Sequence, residues 1–222
     1  MSQSFGARLG KMGSSAIQTA VLGSPDSDVP VVCPDDPDEL SIFQREYYND
    51  TWWCGTRLPG GCGGRLTIRL CTDNVCHFVH YQETDIQSQC SPQSRGPESA
   101  NHLFVKADFA AWLSAQGMEA DFAFPNPVGS AVTARLEDGR VLLIHLDRDQ
   151  PVLWNDQTAW EIFLGPGVRM DRDVLFKRGY VHRIRFDIRP GARRSVRIRL
   201  ETPTPTVHPR WFDLGELLPQ RG

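Results

Sequence analysis

One segment of the chain repeats its apolar residues at the spacing of an α-helix. The repeated positions i, i+4, i+7 and i+8 are Val105, Phe109, Trp112 and Leu113. Residues at this spacing share one face of a helix, which can then pack against a core. Ser99 precedes the run, where its hydroxyl is expected to cap the helix, and Gly117 follows where glycine commonly ends one. The pattern predicts an amphipathic helix between Ser99 and Gly117.

Beyond Gly117 the apolar residues gather in short segments that are typical of β-strands. Three such segments follow one another: Met118 to Phe124, Ala131 to Leu136 and Val141 to Asp147. The sequence Glu137-Asp138-Gly139 between the last two predicts a tight hairpin. Trp154 to Leu164 is interpreted as a short helix that ends before Gly165-Pro166-Gly167.

A second hairpin is predicted near the C-terminus, where apolar and charged residues alternate. Its strands are Tyr180 to Ile188 and Arg194 to Glu201, and the chain turns at Pro190-Gly191. One helix followed by strands and two hairpins indicates an α+β fold with a C-terminal β-hairpin.

The two ends of the chain lack sustained periodicity. Residues 1–39 are rich in Gly, Ser and Ala and then in Pro and acids, which predicts a flexible leader. Residues 203–222 are rich in Pro and carry Trp211 and Phe212, which predicts an extended tail. A dense aromatic run begins soon after the leader, and we expect it to pack against a small domain: Phe43, Tyr47, Tyr48, Trp52 and Trp53.

Composition narrows the classes of function. The chain has 222 residues, of which 40% are apolar, a formal net charge of −3 and a pI near 6.1. This balance argues against a uniformly basic coat for nucleic acid but leaves room for a local basic face. The apolar runs are too short to cross a bilayer, so no membrane association is expected.

All six cysteines lie between Cys33 and Cys90. The segment from Met1 to Gly23 lacks the basic start and uninterrupted apolar stretch of a secretory signal. A reducing, cytoplasmic location is therefore expected, and there clustered cysteines and histidines are more often metal ligands than disulfide partners.

Seven metal-ligating side chains are concentrated in one short segment: Cys54, Cys62, Cys71, Cys76, His77, His80 and Cys90. Zinc takes four such donors in a tetrahedron, and the neighbouring glycines allow the backbone to approach a thiolate closely. The segment therefore predicts a structural Zn²⁺ site, although the spacing leaves open which four residues bind. No HExxH sequence is present, which disfavours a catalytic zinc.

The same segment carries a family resemblance. Cys54 and Cys62 precede the sequence His77-Phe78-Val79-His80, and Cys90 follows it. Together with the helix start formed by Glu98, Ser99, His102 and Lys106, these motifs resemble those of CoiA-like competence proteins. The resemblance covers roughly Trp52 to Asp147.

This resemblance implies a zinc-ribbon-like module followed by a nuclease-like domain of the PD-(D/E)xK type. It also implies that the zinc ligands are Cys54, Cys62 and His80, with either His77 or Cys90 as the fourth. Cys71 and Cys76 remain alternates.

The sequence departs from the family where a nuclease would need carboxylates to bind Mg²⁺. The expected Asp is replaced by Ala131, and the expected Glu is replaced by His145. Neither residue suits a cation that prefers oxygen ligands, so nuclease chemistry is expected to be lost. Asp147 and Asp149, with Glu119 nearby and Lys106 as a remote basic group, remain candidates for relocated catalytic groups.

The C-terminal hairpin places arginines at alternate positions, so they are predicted to share one face. The candidate nucleic-acid-binding residues are Arg183, Arg185, Arg194, Arg197 and Arg199. Arginine binds phosphate bidentately, which favours DNA or another nucleic acid as a partner. The alternative is a solvated outer face whose arginines pair with acids such as Asp171 and Asp173.

Three functions follow from these patterns. The first is a noncatalytic nucleic-acid-binding or adaptor protein with a structural zinc module on a degenerate nuclease scaffold. The second is an active metal-dependent endonuclease with relocated carboxylates. The third is a protein-interaction subunit that binds a partner through the aromatic and Pro-rich segments.

The predicted organisation has four parts: a leader over 1–39, a zinc-binding module over 40–92, an inactive nuclease-like α/β domain over 98–202 and a Pro-rich tail over 203–222.

Overall fold

A computed structural model describes residues 17–69, 76–81, 96–152, 154, 159–189, 193–204 and 210–216. Within these ranges the chain forms one five-stranded and one seven-stranded sheet, with helices packed against them. This architecture confirms the predicted α+β class. No helix in the described ranges is both long enough and apolar enough to span a membrane.

The five-stranded sheet is built entirely from antiparallel pairs and has the order β2-β1-β3-β4-β5. Its strands are β1 (Thr19–Leu22), β2 (Pro30–Val32), β3 (Trp52–Trp53), β4 (Arg65–Arg69) and β5 (His77–His80). Helix α1 (Pro37–Glu46) connects β2 to β3. Asp36 begins this helix by accepting hydrogen bonds from the backbone N–H groups of Asp38 and Glu39, at 2.8 and 3.1 Å.

The prediction of a flexible leader over 1–39 is wrong for residues 17–39, and residues 1–16 lie outside the described ranges. Strands β1 and β2 pair with each other, and Ala20, Val21 and Val31 are almost fully buried. The strands have only four and three residues, so they are too short to produce a periodic signal among the surrounding Ser and Pro residues. Their apolar side chains become buried only when the rest of the sheet forms.

Aromatic side chains fill the space between α1 and this sheet. The ring of Phe43 lies 4.7 Å from that of Tyr47 and 6.3 Å from those of Trp52 and Phe78, measured between centroids. Phe43 and Tyr47 are buried, which confirms the predicted packing role of the aromatic run, whereas Tyr48 is exposed.

The seven-stranded sheet has the order β12-β11-β10-β9-β8-β7-β6. Its strands are β6 (Ala120–Ala123), β7 (Ala131–Leu136), β8 (Val141–His145), β9 (Ala159–Leu164), β10 (Val181–Arg189), β11 (Arg193–Glu201) and β12 (Phe212–Asp213). Strands β8, β9 and β10 run parallel to one another, and the other neighbours are antiparallel. The antiparallel pairs β7–β8 and β10–β11 confirm both predicted hairpins, whereas the predicted turn at Pro190-Gly191 lies outside the described residues.

Helix α2 (Asn101–Ala115) covers one face of this sheet, as its apolar periodicity predicts. Val105, Phe109 and Leu113 are buried against apolar residues of five strands. Gly117 follows the helix with a φ of +70°, a conformation that glycine adopts without strain. Helix α3 (Arg172–Arg178) lies between β9 and β10 and packs on the opposite face through Leu175.

The prediction that Ser99 caps α2 is wrong. Ser99 lies in a 3-10 helix (Pro97–Ala100) that runs directly into α2, so Ala100 occupies the capping position without a side-chain hydrogen bond. The Ser99 hydroxyl instead lies 2.6 Å from the hydroxyl of Thr19 in β1, and so connects the two sheets.

The predicted short helix over Trp154 to Leu164 is also wrong, because residues 159–164 form β9. Ile162, Phe163 and Leu164 are all buried, since β9 lies between two parallel neighbours and is covered on both faces. Sequence periodicity does not distinguish the uninterrupted apolar run Ile162-Phe163-Leu164 from part of a buried helix.

Val21 connects the two halves of the molecule. Its side chain is fully buried in a cluster with Leu58 from the first half and with Ala100, Leu103 and Phe104 from the start of α2. A salt bridge of 2.6 Å between Asp28 and Lys106 crosses the same boundary. The segment predicted as a leader therefore joins the sheets.

We expect Val21→Ala to lower the free energy of unfolding by about 2 kcal/mol, because it removes two fully buried methyl groups. Val29→Ala is the matched control: Val29 belongs to the same segment but is 52% exposed, so its effect should stay within about 0.5 kcal/mol. Urea denaturation followed by circular dichroism measures both changes. Equal effects of the two substitutions would contradict the placement of Val21.

Candidate metal centre

Three of the predicted zinc ligands converge at one end of the five-stranded sheet. The donor atoms of Cys54, Cys62 and His80 all lie within 4.8 Å of one another, and Cys62 Sγ is 3.1 Å from His80 Nε2. Such a cluster can hold a metal ion, because each side chain offers a donor atom to a common point. Among the described residues, no other group of three or more Cys, His, Asp or Glu side chains converges in this way.

The backbone between Cys54 and Gly64 forms a closed loop that brings the two thiols together. The N–H of Cys54 donates to the carbonyl of Gly64 at 2.8 Å, and the N–H of Gly63 donates to the carbonyl of Cys54 at 2.7 Å. His80 ends β5 opposite Leu66, and therefore lies beside the end of this loop. Pairing of β4 with β5 thus places the His80 imidazole close to the two thiols.

Two glycines make this close approach feasible. A Cβ atom on Gly61 would lie 1.8 Å from the carbonyl oxygen of Gly55, which no side chain tolerates. A Cβ atom on Gly64 would lie 2.9 Å from Cδ2 of His80 and 3.2 Å from Sγ of Cys62. The Gly64 N–H also donates to Cys62 Sγ at 3.4 Å, a type of contact that stabilises metal-bound thiolates.

The chemistry of these donors fits a soft or borderline divalent metal. Cys54 is 5% exposed, whereas Cys62 and His80 are partly exposed. None of the four described cysteines is in a disulfide. Two sulfurs and one imidazole satisfy three positions of a tetrahedron, which leaves one position for a further ligand.

The structure does not bring His77 to this cluster. His77 and His80 are three residues apart on β5, so their side chains project from opposite faces of the strand. Cys33 and Cys76 are buried in the adjacent apolar core with Phe78 and are not part of the converging group. Cys71 and Cys90, the other candidates from the sequence, lie outside the described residues.

The two positions at which the resemblance implies nuclease carboxylates lie side by side. Ala131 on β7 is the direct cross-strand partner of His145 on β8. His145 is 7% exposed, and its Nε2 lies 2.7 Å from the carbonyl oxygen of Asp147 and 3.1 Å from that of Gln150. The imidazole therefore connects the end of β8 to the loop that follows it.

The candidate replacement carboxylates do not form a metal-binding group within the described residues. Asp147 Oδ1 accepts a hydrogen bond from the N–H of Asp149 at 2.8 Å, a local turn contact. Glu119 precedes β6, and Lys106 pairs with Asp28 at the boundary between the sheets. No cluster of three donors joins these side chains.

Four of the predicted arginines lie on one face of the C-terminal hairpin. Arg183 is the cross-strand partner of Arg199, and Arg185 is the partner of Arg197. Ile184, Val196 and Ile198 point to the opposite face, where they join the core beneath α2. We call the four side chains Arg183, Arg185, Arg197 and Arg199 the arginine face.

Arg194 belongs to the other side of the sheet. It alternates in phase with Val196 and Ile198, and its Nη1 donates to Oδ1 of Asn101 on α2 at 2.6 Å. Burial lowers the pKa of its guanidinium, with a smaller opposing effect of Glu98. Arg194 therefore connects the hairpin to α2 and does not extend the arginine face.

Acidic side chains of the same sheet accompany the arginine face. Arg183 pairs with Glu201, Arg185 with Asp187 at 3.0 Å, and Arg197 with Asp213 at 3.2 Å. The acids proposed from the sequence, Asp171 and Asp173, serve the start of α3 instead: Asp171 accepts hydrogen bonds from the N–H groups of Asp173 and Val174.

Sequence reasoning missed the contribution of Trp211. The guanidinium carbons of Arg185 and Arg199 lie over its indole ring, 4.8 and 4.9 Å from the centroid. Arg197 also donates to the carbonyl oxygen of Trp211 at 3.1 Å. The only sequence signal for this contact was Trp211 itself, followed by Phe212 and Asp213 in an otherwise Pro-rich tail. Nothing in the sequence showed that this tail folds back onto the C-terminal hairpin.

Comparison of the chain with family models, with curated proteins and with solved structures finds no match in any of the three. The geometry of the side chains therefore carries the functional argument.

We expect protein purified under reducing conditions to contain about one equivalent of a divalent metal per chain. Cys62→Ser combined with His80→Ala should abolish this content, because it removes two converging donors. His77→Ala, a control on the opposite face of β5, should retain the metal. Inductively coupled plasma mass spectrometry measures all three proteins, and metal loss in the His77 variant alone would contradict the assigned donors.

Proposed function

We propose that this protein is a zinc-stabilised, noncatalytic nucleic-acid-binding or adaptor protein. The observation that carries the binding function is the arginine face, in which four guanidinium groups project together from two neighbouring strands. The observation that supports zinc is the convergence of Cys54, Cys62 and His80. The two features lie on different sheets, so each can be tested by itself.

Zinc suits the metal centre because it accepts two thiolates and an imidazole in a tetrahedron without a redox change. The bound ion joins the loop from Cys54 to Gly64 to the end of β5. Cys90 is the preferred fourth ligand, since His77 lies on the other face of β5. The role of this zinc is structural.

Nucleic acid suits the arginine face because cross-strand pairs of like charge repel each other and are stabilised by an anion. Arginine provides a planar, bidentate donor for phosphate oxygens. The four arginines exceed the three acids Asp187, Glu201 and Asp213 by one positive charge. Binding therefore depends on direct contacts with phosphate or base more than on long-range attraction.

The lack of catalysis is proposed from the positions of Ala131 and His145. Helix α2, three antiparallel strands and a following parallel strand are compatible with the nuclease-like scaffold of CoiA-like competence proteins. At the pair of positions where that scaffold would bind Mg²⁺, this chain has a methyl group and an imidazole that lies within hydrogen-bonding distance of two backbone carbonyls. We propose that the scaffold persists and that its chemistry has been lost.

We expect Arg197→Glu combined with Arg199→Glu to weaken DNA binding at least about tenfold at low salt and to reduce the salt slope by about two. Arg45→Glu combined with Arg172→Glu is the matched control, since it makes the same charge change at two exposed helical positions. Fluorescence anisotropy over a range of salt concentrations measures both. If the control weakens binding as much, net charge and not the arginine face is responsible.

We also expect no Mg²⁺- or Mn²⁺-dependent cleavage of plasmid DNA, because the described carboxylates do not form a metal-binding cluster. Gel electrophoresis of DNA incubated with the protein and either metal tests this expectation. Cleavage that disappears in Asp147→Ala would establish the protein as a nuclease and refute the noncatalytic proposal.

A further inference from the structure

The C-terminal segment from Arg210 to Asp213, here called the strap, covers part of the arginine face. Its Trp211 ring contacts the guanidinium groups of Arg185 and Arg199, and its Asp213 carboxylate pairs with Arg197. The strap thus presents an aromatic ring and an anion, two residues apart, to three arginines. A nucleotide presents the same two groups, a planar base and a phosphate.

Two donors beneath the strap remain unsatisfied. The Nε atoms of Arg197 and Arg199 are buried, and neither has a hydrogen-bond partner. A buried N–H of a charged group without a partner is costly, so an additional acceptor at this place would stabilise the face. The phosphodiester of a nucleic acid has two non-bridging oxygens that can accept such bonds, whereas the carboxylate of Asp213 reaches Arg197 through Nη1 and leaves its Nε without an acceptor.

Only a short strand pairing attaches the strap to the seven-stranded sheet. Strand β12 pairs with β11 at only two positions, Arg197↔Asp213 and Ile198↔Phe212, whereas β10 and β11 pair at nine. Leu214, directly after β12, is 6% exposed in the core beneath α2. Trp211 and Asp213 can therefore leave the face while Leu214 keeps the segment attached, because short edge pairings open at low free-energy cost.

We infer that Arg185, Arg197 and Arg199 form a binding site for an unpaired nucleotide of single-stranded nucleic acid, which the strap covers by occupying the base and phosphate positions. This inference rests on the proposed nucleic-acid-binding function and names its substrate class. The partner is single-stranded because a base can stack on guanidinium groups only when it is released from a duplex.

The test measures binding of fluorescent (dT)15 and of a 15-base-pair duplex to the full chain by anisotropy at low salt. Trp211→Ala removes the ring that competes with the base, and Asp213→Asn removes the competing charge. Each should tighten binding of (dT)15, by about tenfold for Trp211→Ala, while binding of the duplex changes little. Trp160→Ala is the matched control, because Trp160 also lies under an arginine, Arg140, at 4.2 Å but far along the sheet from the strap.

The remaining outcomes separate this inference from the proposed function. If wild type and both strap variants bind (dT)15 equally, the strap does not cover the site, but the proposed function stands. If Trp211→Ala weakens binding, Trp211 is itself a binding residue and the inference is wrong. If no protein binds either probe, both proposals fail.

Two further readouts protect the result. Urea denaturation establishes that each variant is folded. If Trp211→Ala is unstable, Asp213→Asn still tests the strap, because it removes the competing charge and keeps the indole ring. A peptide with the sequence of residues 210–216 is added as a competitor. If this peptide binds Trp211→Ala while (dT)15 does not, the face accepts a protein segment, and the nucleotide assignment is overturned.

Discussion

The convergence of two thiols and one imidazole is the constraint on which the first half of this molecule depends. Cys54 and Cys62 can approach His80 only because the intervening loop closes on itself, and that closure requires a residue without a side chain at Gly61 and Gly64. Two sulfurs and one imidazole nitrogen within 4.8 Å of one another can hold a metal ion. A metal at this point would account for the loop, its glycines and the position of β5 together.

The second half has no carboxylates at the two positions that the resemblance implies for a nuclease. His145 lies within hydrogen-bonding distance of two backbone carbonyls in the loop after β8, and Ala131 beside it offers no donor. The concentration of arginine lies elsewhere, on β10 and β11. The segment around Val21 connects the two halves through apolar contacts, so the five-stranded sheet also supports the start of α2.

The sequence predicts those elements whose periodicity is long and regular. Helix α2 follows from apolar spacing, both hairpins follow from spacing together with turn residues, and period two correctly places four arginines on one face. The same rule separates His77 from His80, since their odd spacing sends them to opposite sides of a strand. Strand β9 escaped prediction because its second half, Ile162 to Leu164, is buried on both faces, and β1 and β2 because they are too short. The contact of Trp211 with Arg185 depends on how the tail returns to the sheet, which no local pattern encodes.

X-ray absorption at the zinc edge tests the central claim most directly. On protein purified under reducing conditions, we expect at least two sulfur neighbours at about 2.3 Å and one imidazole nitrogen at about 2.0 Å from the zinc. This result would place the metal between Cys54, Cys62 and His80. Zinc that is absent, or that is surrounded only by nitrogen and oxygen, would contradict the account.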